Sequence, residues 1–289
     1  MREDAFSKCH PLTNFLFFVG AIGFSVVIQH PAYLAASCVC GGVYLLLLKG
    51  RGAWKFICGM VPVFLVLSAI NPFFNTYGQR VLFRFFGKPY TLEALYYGMA
   101  IAGIFTAMTF WFGCYSAVLT SDKFVSLFGS LIPAISLLLV MILRMVPNLV
   151  RKGRHLVEAR RSIGKGAGEG STVKEKAADG MNLLSALTDW ALEGSIVTAD
   201  SMRSRGYGTA KRTSFQIYRM TALDFFLLAL FAVLAAATIL WGGTNASYAP
   251  ELFIDALTPG FYAYCLYLLL PSILQGKENL QWRISISRI

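Results

Sequence analysis

The side chains with the most chemical potential in this chain are arginines, and they gather in two short clusters. The first is Glu158-Ala159-Arg160-Arg161-Ser162-Ile163-Gly164, and the second is Ala199-Asp200-Ser201-Met202-Arg203-Ser204-Arg205-Gly206-Tyr207-Gly208. Each closes a helical pattern at glycine, which predicts arginines projecting from a helix end. Guanidinium pairs in bidentate fashion with carboxylates, so a partner offering acidic grooves could grip both clusters. Anionic lipid headgroups are the other partner that fits, since they attract basic residues at about 1 kcal/mol each. The residues themselves do not choose between the two.

Other chemistry is excluded on spacing. The run Gly164-Lys165-Gly166-Ala167-Gly168-Glu169-Gly170-Ser171-Thr172 has the glycines and the lysine of a phosphate cradle, but Lys165 is followed by Gly166 and not by Ser or Thr, and no apolar strand precedes it. It reads as a linker. His10, His30 and His155 stand outside any HExxH spacing. Cys9, Cys38, Cys40, Cys58, Cys114 and Cys265 show no CxxC pairing, and most lie in apolar stretches as small hydrophobes. No nucleophile and base set is visible, so neither an enzyme nor a resident cofactor is expected. Any energy for active transport would have to come from another chain.

The elements that must carry these clusters follow from composition. Of 289 residues, 56% are hydrophobic and 14% charged, with a mean hydropathy of +0.58; an average soluble domain has about 25% charged residues. The expected class is therefore an all-α, polytopic helical membrane protein. Apolar stretches run over 12–28, 32–48, 54–70, 95–119, 128–146, 223–241 and 253–270. His30-Pro31, the Lys49 to Gly52 run and Asn71-Pro72 are expected to separate the first of them. Apolar sequence begins at Leu12 and resumes after His30-Pro31 with no cleavage site between, so the N-terminus is expected to be retained. Glu93, Arg144 and Asp224 fall at span ends, where their side chains are expected to reach the interface.

The net charge of +11 is expected to mark the cytoplasmic side and not nucleic acid. Most of the excess lies in Pro147 to Arg219, where Leu149, Val150, Leu156, Val157 and Ile163, then Leu183, Leu187, Trp190, Gly194 and Val197, recur at helical spacing. Two amphipathic cytoplasmic helices joined by Gly164 to Gly170 are predicted. The expected organisation is N-terminal transmembrane helices over 1–147, a cytoplasmic coupling-helix region over 148–220, and C-terminal transmembrane helices with a tail over 221–289. Five full crossings before Pro147 would put the N-terminus and the basic segment on opposite sides, against Lys49, Arg51 and Lys55. One stretch is therefore expected not to cross, with the Leu12 to Leu48 pair or the Asn71-Pro72 break as the irregular place.

An ordered set of motifs gives the chain a resemblance. It comprises His30-Pro31, Asn71-Pro72-Phe73-Phe74-Asn75 followed by Val81-Leu82-Phe83, and Leu143-Arg144-Met145-Val146-Pro147. It continues with Ala191-Leu192-Glu193 leading into the second arginine cluster, and Arg212-Thr213-Ser214-Phe215. Over nearly its whole length the chain resembles the transmembrane T component (EcfT/CbiQ family) of energy-coupling factor ABC transporters. The resemblance implies two X-Arg-X motifs that dock two ABC-type ATPase subunits, here Ala159-Arg160-Arg161-Ser162 and Ser204-Arg205-Gly206. Which of Arg160 and Arg161 is central stays open, and Ser204 stands where the family commonly has Ala.

The implied protein is a non-catalytic scaffold and energy-coupling subunit in a bacterial cell membrane. It would link the ATPases to a small substrate-binding membrane subunit that captures a vitamin or a metal ion, with membrane lipids around it and no nucleic acid. A solitary channel-like or lipid-binding membrane protein is the competing reading.

Overall fold

The computed structural model describes residues 6–75, 81–85, 88–129, 133–164, 172–209, 218–248 and 253–286. Nine α-helices among the described residues run as α1 (Pro11–Val27), α2 (Pro31–Lys49), α3 (Arg51–Phe74), α4 (Leu92–Val118), α5 (Ser121–Gly129), α6 (Pro133–Ser162), α7 (Val173–Ser204), α8 (Ala222–Trp241) and α9 (Pro259–Ile286). Four of these, namely α2, α3 from Gly52, α4 and α8, are long and apolar enough to span a bilayer, and α1 is a shorter apolar helix. At 17 residues α1 is about 25 Å long, still within reach of a hydrocarbon core. The chain is a multi-pass helical membrane protein.

The two arginine clusters and the apolar helices belong to different compact units. The first unit holds Met1–Phe124 with Tyr218–Ile289, and the second holds Val125–Ile217. The second unit thus begins ahead of the 148 boundary that composition had suggested.

In the first unit the helices close around an aromatic hub. Phe17 of α1 lies with ring centroids 5.3 Å from Phe6, 5.7 Å from Trp111, 5.2 Å from Phe231 and 5.2 Å from Tyr267, tying α4, α8 and α9 to α1. Burial of such rings cannot drive association inside lipid as it does in water, so close packing and hydrogen bonds must do more. Small residues supply the closeness: Ala94, Gly98, Ala102, Gly103 and Ala107 line the buried face of α4. Hydrogen bonds supply the rest. Trp111 donates its Nε1–H to Ser37 Oγ at 2.9 Å, Ser25 and Ser37 share a 2.7 Å bond, and Ser25 donates to the Ala21 carbonyl at 2.7 Å. Because Ser25 spends its proton on Ala21, Ser37 donates to Ser25, and one relay joins α4, α2 and α1.

Two histidines start two helices. His10 and His30 each occupy the N-cap with proline at the first helical position, and each Nδ1 accepts the amide two residues on, from Leu12 and Ala32, at 3.2 Å. His-Pro is thus a twice-used helix start in this chain. The second ring has its Nε2 3.0 Å from the Asp255 carbonyl, so Nε2 carries the proton.

The polar ties gather at the two ends of the first unit. One end joins the α1–α2 turn to the α8–α9 connection, where Tyr248 donates to the Gln29 carbonyl at 2.7 Å and the Gly243 amide donates to Thr258 Oγ1 at 2.8 Å. Burial raises the Tyr248 phenol above its ordinary pKa and keeps it a donor. The other end brings together the start of α1, the end of α4, the start of α8 and the latter part of α9 through Lys123, Asp224 and the Lys8–Glu278 pair at 2.6 Å.

Several expectations are corrected. Asn71-Pro72 does not stop α3, which runs through Pro62 and Pro72 to Phe74 and is capped at Asn75, whose amide donates to the Asn71 carbonyl at 3.0 Å. The Leu12 to Leu48 pair folds as two regular helices. The 128–146 stretch holds the end of α5 and the start of α6, with residues 130–132 outside the described residues, and α6 belongs to the second unit. Two small antiparallel pairs, β1 (Val81–Phe85) with β2 (Lys88–Thr91) and β3 (Ala246–Ser247) with β4 (Phe253–Ile254), lie in connections of a fold that is otherwise helical, as expected. The last apolar stretch therefore begins as a strand at Phe253, and its helix starts only at Pro259. Asp224, expected to reach the interface, is instead 2% exposed.

Candidate functional site

The second unit is built around a helical hairpin. Thr172 begins α7 with a full capping box, its hydroxyl accepting the Glu175 amide at 3.3 Å while Glu175 accepts the Thr172 amide at 2.8 Å. This T-x-x-E signal lies in the sequence at the end of the stretch read as a linker, and α7 accordingly begins at Val173. The 165–171 part of that stretch lies outside the described residues.

Three contacts fix α6 against α7 in antiparallel register. Lys152 Nζ sits 4.6 Å from the centre of the Trp190 ring, Gly153 faces Leu187, and Arg160 pairs with Asp179 at 2.5 Å. A cation over an indole face and an arginine on a carboxylate are both favourable where water is partly excluded. The Arg160 and Asp179 side chains are 28% and 25% exposed, so the pair is screened less than a surface one. Asp179 is a pairing residue that the sequence reading missed; an isolated acid twenty residues ahead of the second cluster gave no local signal.

The pairing separates the two adjacent arginines. Arg160 turns into the hairpin, whereas Arg161, about 100° further round α6, is exposed, as are Ala159 and Ser162. Ser162 donates to the Glu158 carbonyl at 3.0 Å, and the chain then leaves the helix at Gly164, whose φ is +69°.

The second cluster ends α7 in the same way but more completely. Gly206 donates to the Arg203 carbonyl and Tyr207 to the Met202 carbonyl, both at 3.0 Å, and Gly206 and Gly208 have φ of +78° and +90°. These are the two bonds of a Schellman motif with glycine at its left-handed position. Arg205 stands at the C-cap and is exposed, beside Ser204, whose hydroxyl donates to the Ser201 carbonyl at 3.1 Å. Both exposed arginines thus sit at helix C-termini, where the macrodipole favours a cation.

The structure does not bring the two clusters together. Since the hairpin is antiparallel, Arg161 lies near Asp179 while Arg205 lies at the far end of α7, roughly 40 Å away along the helix at about 1.5 Å per residue. The basic motif Arg212-Thr213-Ser214-Phe215 lies outside the described residues. Leu138, Ile142 and Val146 of α6, and Met181, Leu184, Leu192 and Ile196 of α7, are exposed apolar side chains on this unit. No family model matches the chain, and no curated protein does.

Proposed function

We propose that this protein is the membrane scaffold and energy-coupling subunit of an ATP-driven importer, gripping two ATPase subunits through Arg161 and Arg205. One observation carries the reading: two exposed arginines each end a long helix, each is followed within three residues by a left-handed glycine, and the two helix ends lie roughly 40 Å apart along one hairpin. A single groove cannot hold both arginines at that spacing. Two copies of one partner can, each receiving a helix end of the same chemistry. The sequence resemblance to the T component of energy-coupling factor transporters gives the partner class.

Sidedness supports the same assignment. The chain leaves the first unit after Phe124 and returns at Tyr218, at the end that also carries Lys8, Lys49, Arg51, Lys55, Arg219 and Lys277, whereas the opposite end has Arg84 and Lys88 in the strands between α3 and α4. The more basic end is cytoplasmic by the positive-inside rule, which places both ends of Val125–Ile217 where ATPases are found. The captured nutrient, a vitamin or a metal ion, is chosen by a separate small membrane subunit. The exposed apolar side chains of α6 and α7 offer that subunit, or the surrounding lipid, a surface to rest on.

Charge reversal tests the assignment. Arg161→Glu and Arg205→Glu are each expected to lower ATPase association at least tenfold, because attraction to an acidic groove becomes repulsion. Arg160→Glu combined with Asp179→Arg keeps the hairpin pair with its charges exchanged and is expected to leave association at the wild-type level. Retention of ATPases by both single reversals would return the arginines to lipid anchors.

A further inference from the structure

Within the first unit, a short N-terminal segment collects ties from every element that flanks the excursion of the chain into Val125–Ile217. Lys123 is buried and directs its ammonium to the Ser7 carbonyl, to Ser7 Oγ at 2.6 Å and to the Val118 carbonyl at 3.2 Å. Val118 is the last residue of α4, so this cation sits at a helix C-terminus. Asp224 is buried at the opposite kind of helix end. Its Oδ2 accepts the Thr221 amide at 2.9 Å and the Thr221 hydroxyl at 2.7 Å, closing the N-terminus of α8, while its Oδ1 accepts the His10 amide at 2.9 Å and the Thr13 hydroxyl at 3.4 Å.

One carboxylate therefore serves the N-termini of two helices. Tyr218, where the chain returns, sets its ring edge-on to His10 with centroids 6.5 Å apart. Lys8 reaches α9 through its pair with Glu278. The residue before the exit and the cap after the return are thus held by Ser7 and His10, three positions apart on one segment.

A merely local role would need less. Capping α8 requires only Thr221 and one oxygen of Asp224, and capping α4 requires only the bond from Lys123 to Val118. The additional bonds to Ser7, His10 and Thr13 fall within Phe6–Thr13, and they serve two buried opposite charges that are costly to desolvate unless their hydrogen bonds are met. We propose that Phe6–Thr13 is a clasp that locks the exit and the return of the Val125–Ile217 excursion to each other, with Lys123 and Asp224 as its positioning residues. A displacement delivered through either end of the excursion then moves the ends of α1, α4 and α8 together. The purpose of the clasp rests on the proposed coupling function, in which α6 and α7 must push on the membrane helices and not merely flex against them.

The clasp can be tested without any partner, by hydrogen exchange on the purified full chain in lipid nanodiscs. Asp224→Asn is expected to speed exchange about tenfold both around 221–225 and across the clasp at 118–124, and Lys123→Met is expected to do the same at 218–225. Thr13→Val, which keeps shape and removes one bond to Asp224, gives the same pattern in weaker form and covers the case of a poorly folding charge variant. Exchange at 243–248, at the opposite end of the unit, stays unchanged. Changes confined to 221–225 in Asp224→Asn and to 118–124 in Lys123→Met would overturn the proposal and leave two independent helix caps. Failure of ATPases to associate would instead overturn the proposed function while leaving this exchange pattern as it is.

Discussion

Arg160 and Arg161 differ by one position and have opposite employments, because successive residues on a helix point about 100° apart and only one of the two can face α7. Asp179 makes the choice, and nothing near either arginine in sequence announces it. Histidine is the reverse case: His10-Pro11 and His30-Pro31 announce their role as helix starts, once a side chain with an acceptor nitrogen before proline is read as a cap and not only as a break. The buried hydroxyl relay is less legible, since serines at positions 25 and 37 fall in apolar stretches with no sign that they meet Trp111. Replacing Ser37 by Ala leaves the Trp111 Nε1–H enclosed without its acceptor. The expected loss is about 1–2 kcal/mol, more than the average hydrogen bond between membrane helices because the orphaned donor cannot reach water. It is read as a lowered midpoint of thermal unfolding in detergent, with Ser37→Thr close to wild type.

Helices were the most legible elements, because long apolar runs must be helical in lipid. Their ends were less so. Asn71-Pro72 reads as a stop, yet α3 continues past it, since proline removes only its own bond to the turn before it while Asn75 still donates to the Asn71 carbonyl. The glycine exits were plain in the sequence because a left-handed residue after a basic last turn is what a Schellman ending requires. Gly206→Val is expected to cost about 1–3 kcal/mol locally, as a β-branched residue held at φ of +78°. It should impair transport more than ATPase binding, because Arg205 keeps its charge but leaves α7 at another angle. Uptake in vesicles measured beside bound ATPase for the same variant decides it, and equal loss of both would make the turn a docking feature only. A packing glycine behaves differently. A Cβ on Gly98 would stand 2.6 Å from the Ser68 carbonyl and 2.8 Å from Asn71 Cβ, whereas one on Gly23 would meet nothing within 4 Å. Gly98→Ala should therefore force α3 from α4 at about 1–3 kcal/mol, and Gly23→Ala should leave the unfolding midpoint unchanged.

For the molecule as a whole, the parity problem that five apolar stretches before Pro147 create turns on where the chain leaves and re-enters the first unit. Lys123 and Asp224 meet one N-terminal segment, so the chain leaves and returns at one end of the first unit, and the proposed topology then requires Val125–Ile217 to cross the membrane an even number of times or not at all. Composition could not reveal this, because residues 128–146 are as apolar as a span, and the ties of Lys123 and Asp224 to one segment leave no local trace in the sequence. The proposed function takes α1, α2, α3, α4, α8 and α9 as crossings, and on that topology the N-terminus, the Lys49 turn, the attachment points of Val125–Ile217 and the tail share the inner side. Single cysteines at Lys49, Arg219 and Lys277, in a background without native cysteines, should be shielded from a membrane-impermeant maleimide on intact cells, while one at Asn245 should react.

ATPase docking is the claim on which the functional account stands, and quantitative isolation of the tagged chain from its native membranes tests it most directly. The account predicts a complex with two ATPase subunits for each copy of this chain, lost in Arg161→Glu and in Arg205→Glu and kept when Arg160 and Asp179 exchange charges. Recovery of the chain free of any nucleotide-hydrolysing partner, under conditions that preserve membrane complexes, would contradict it.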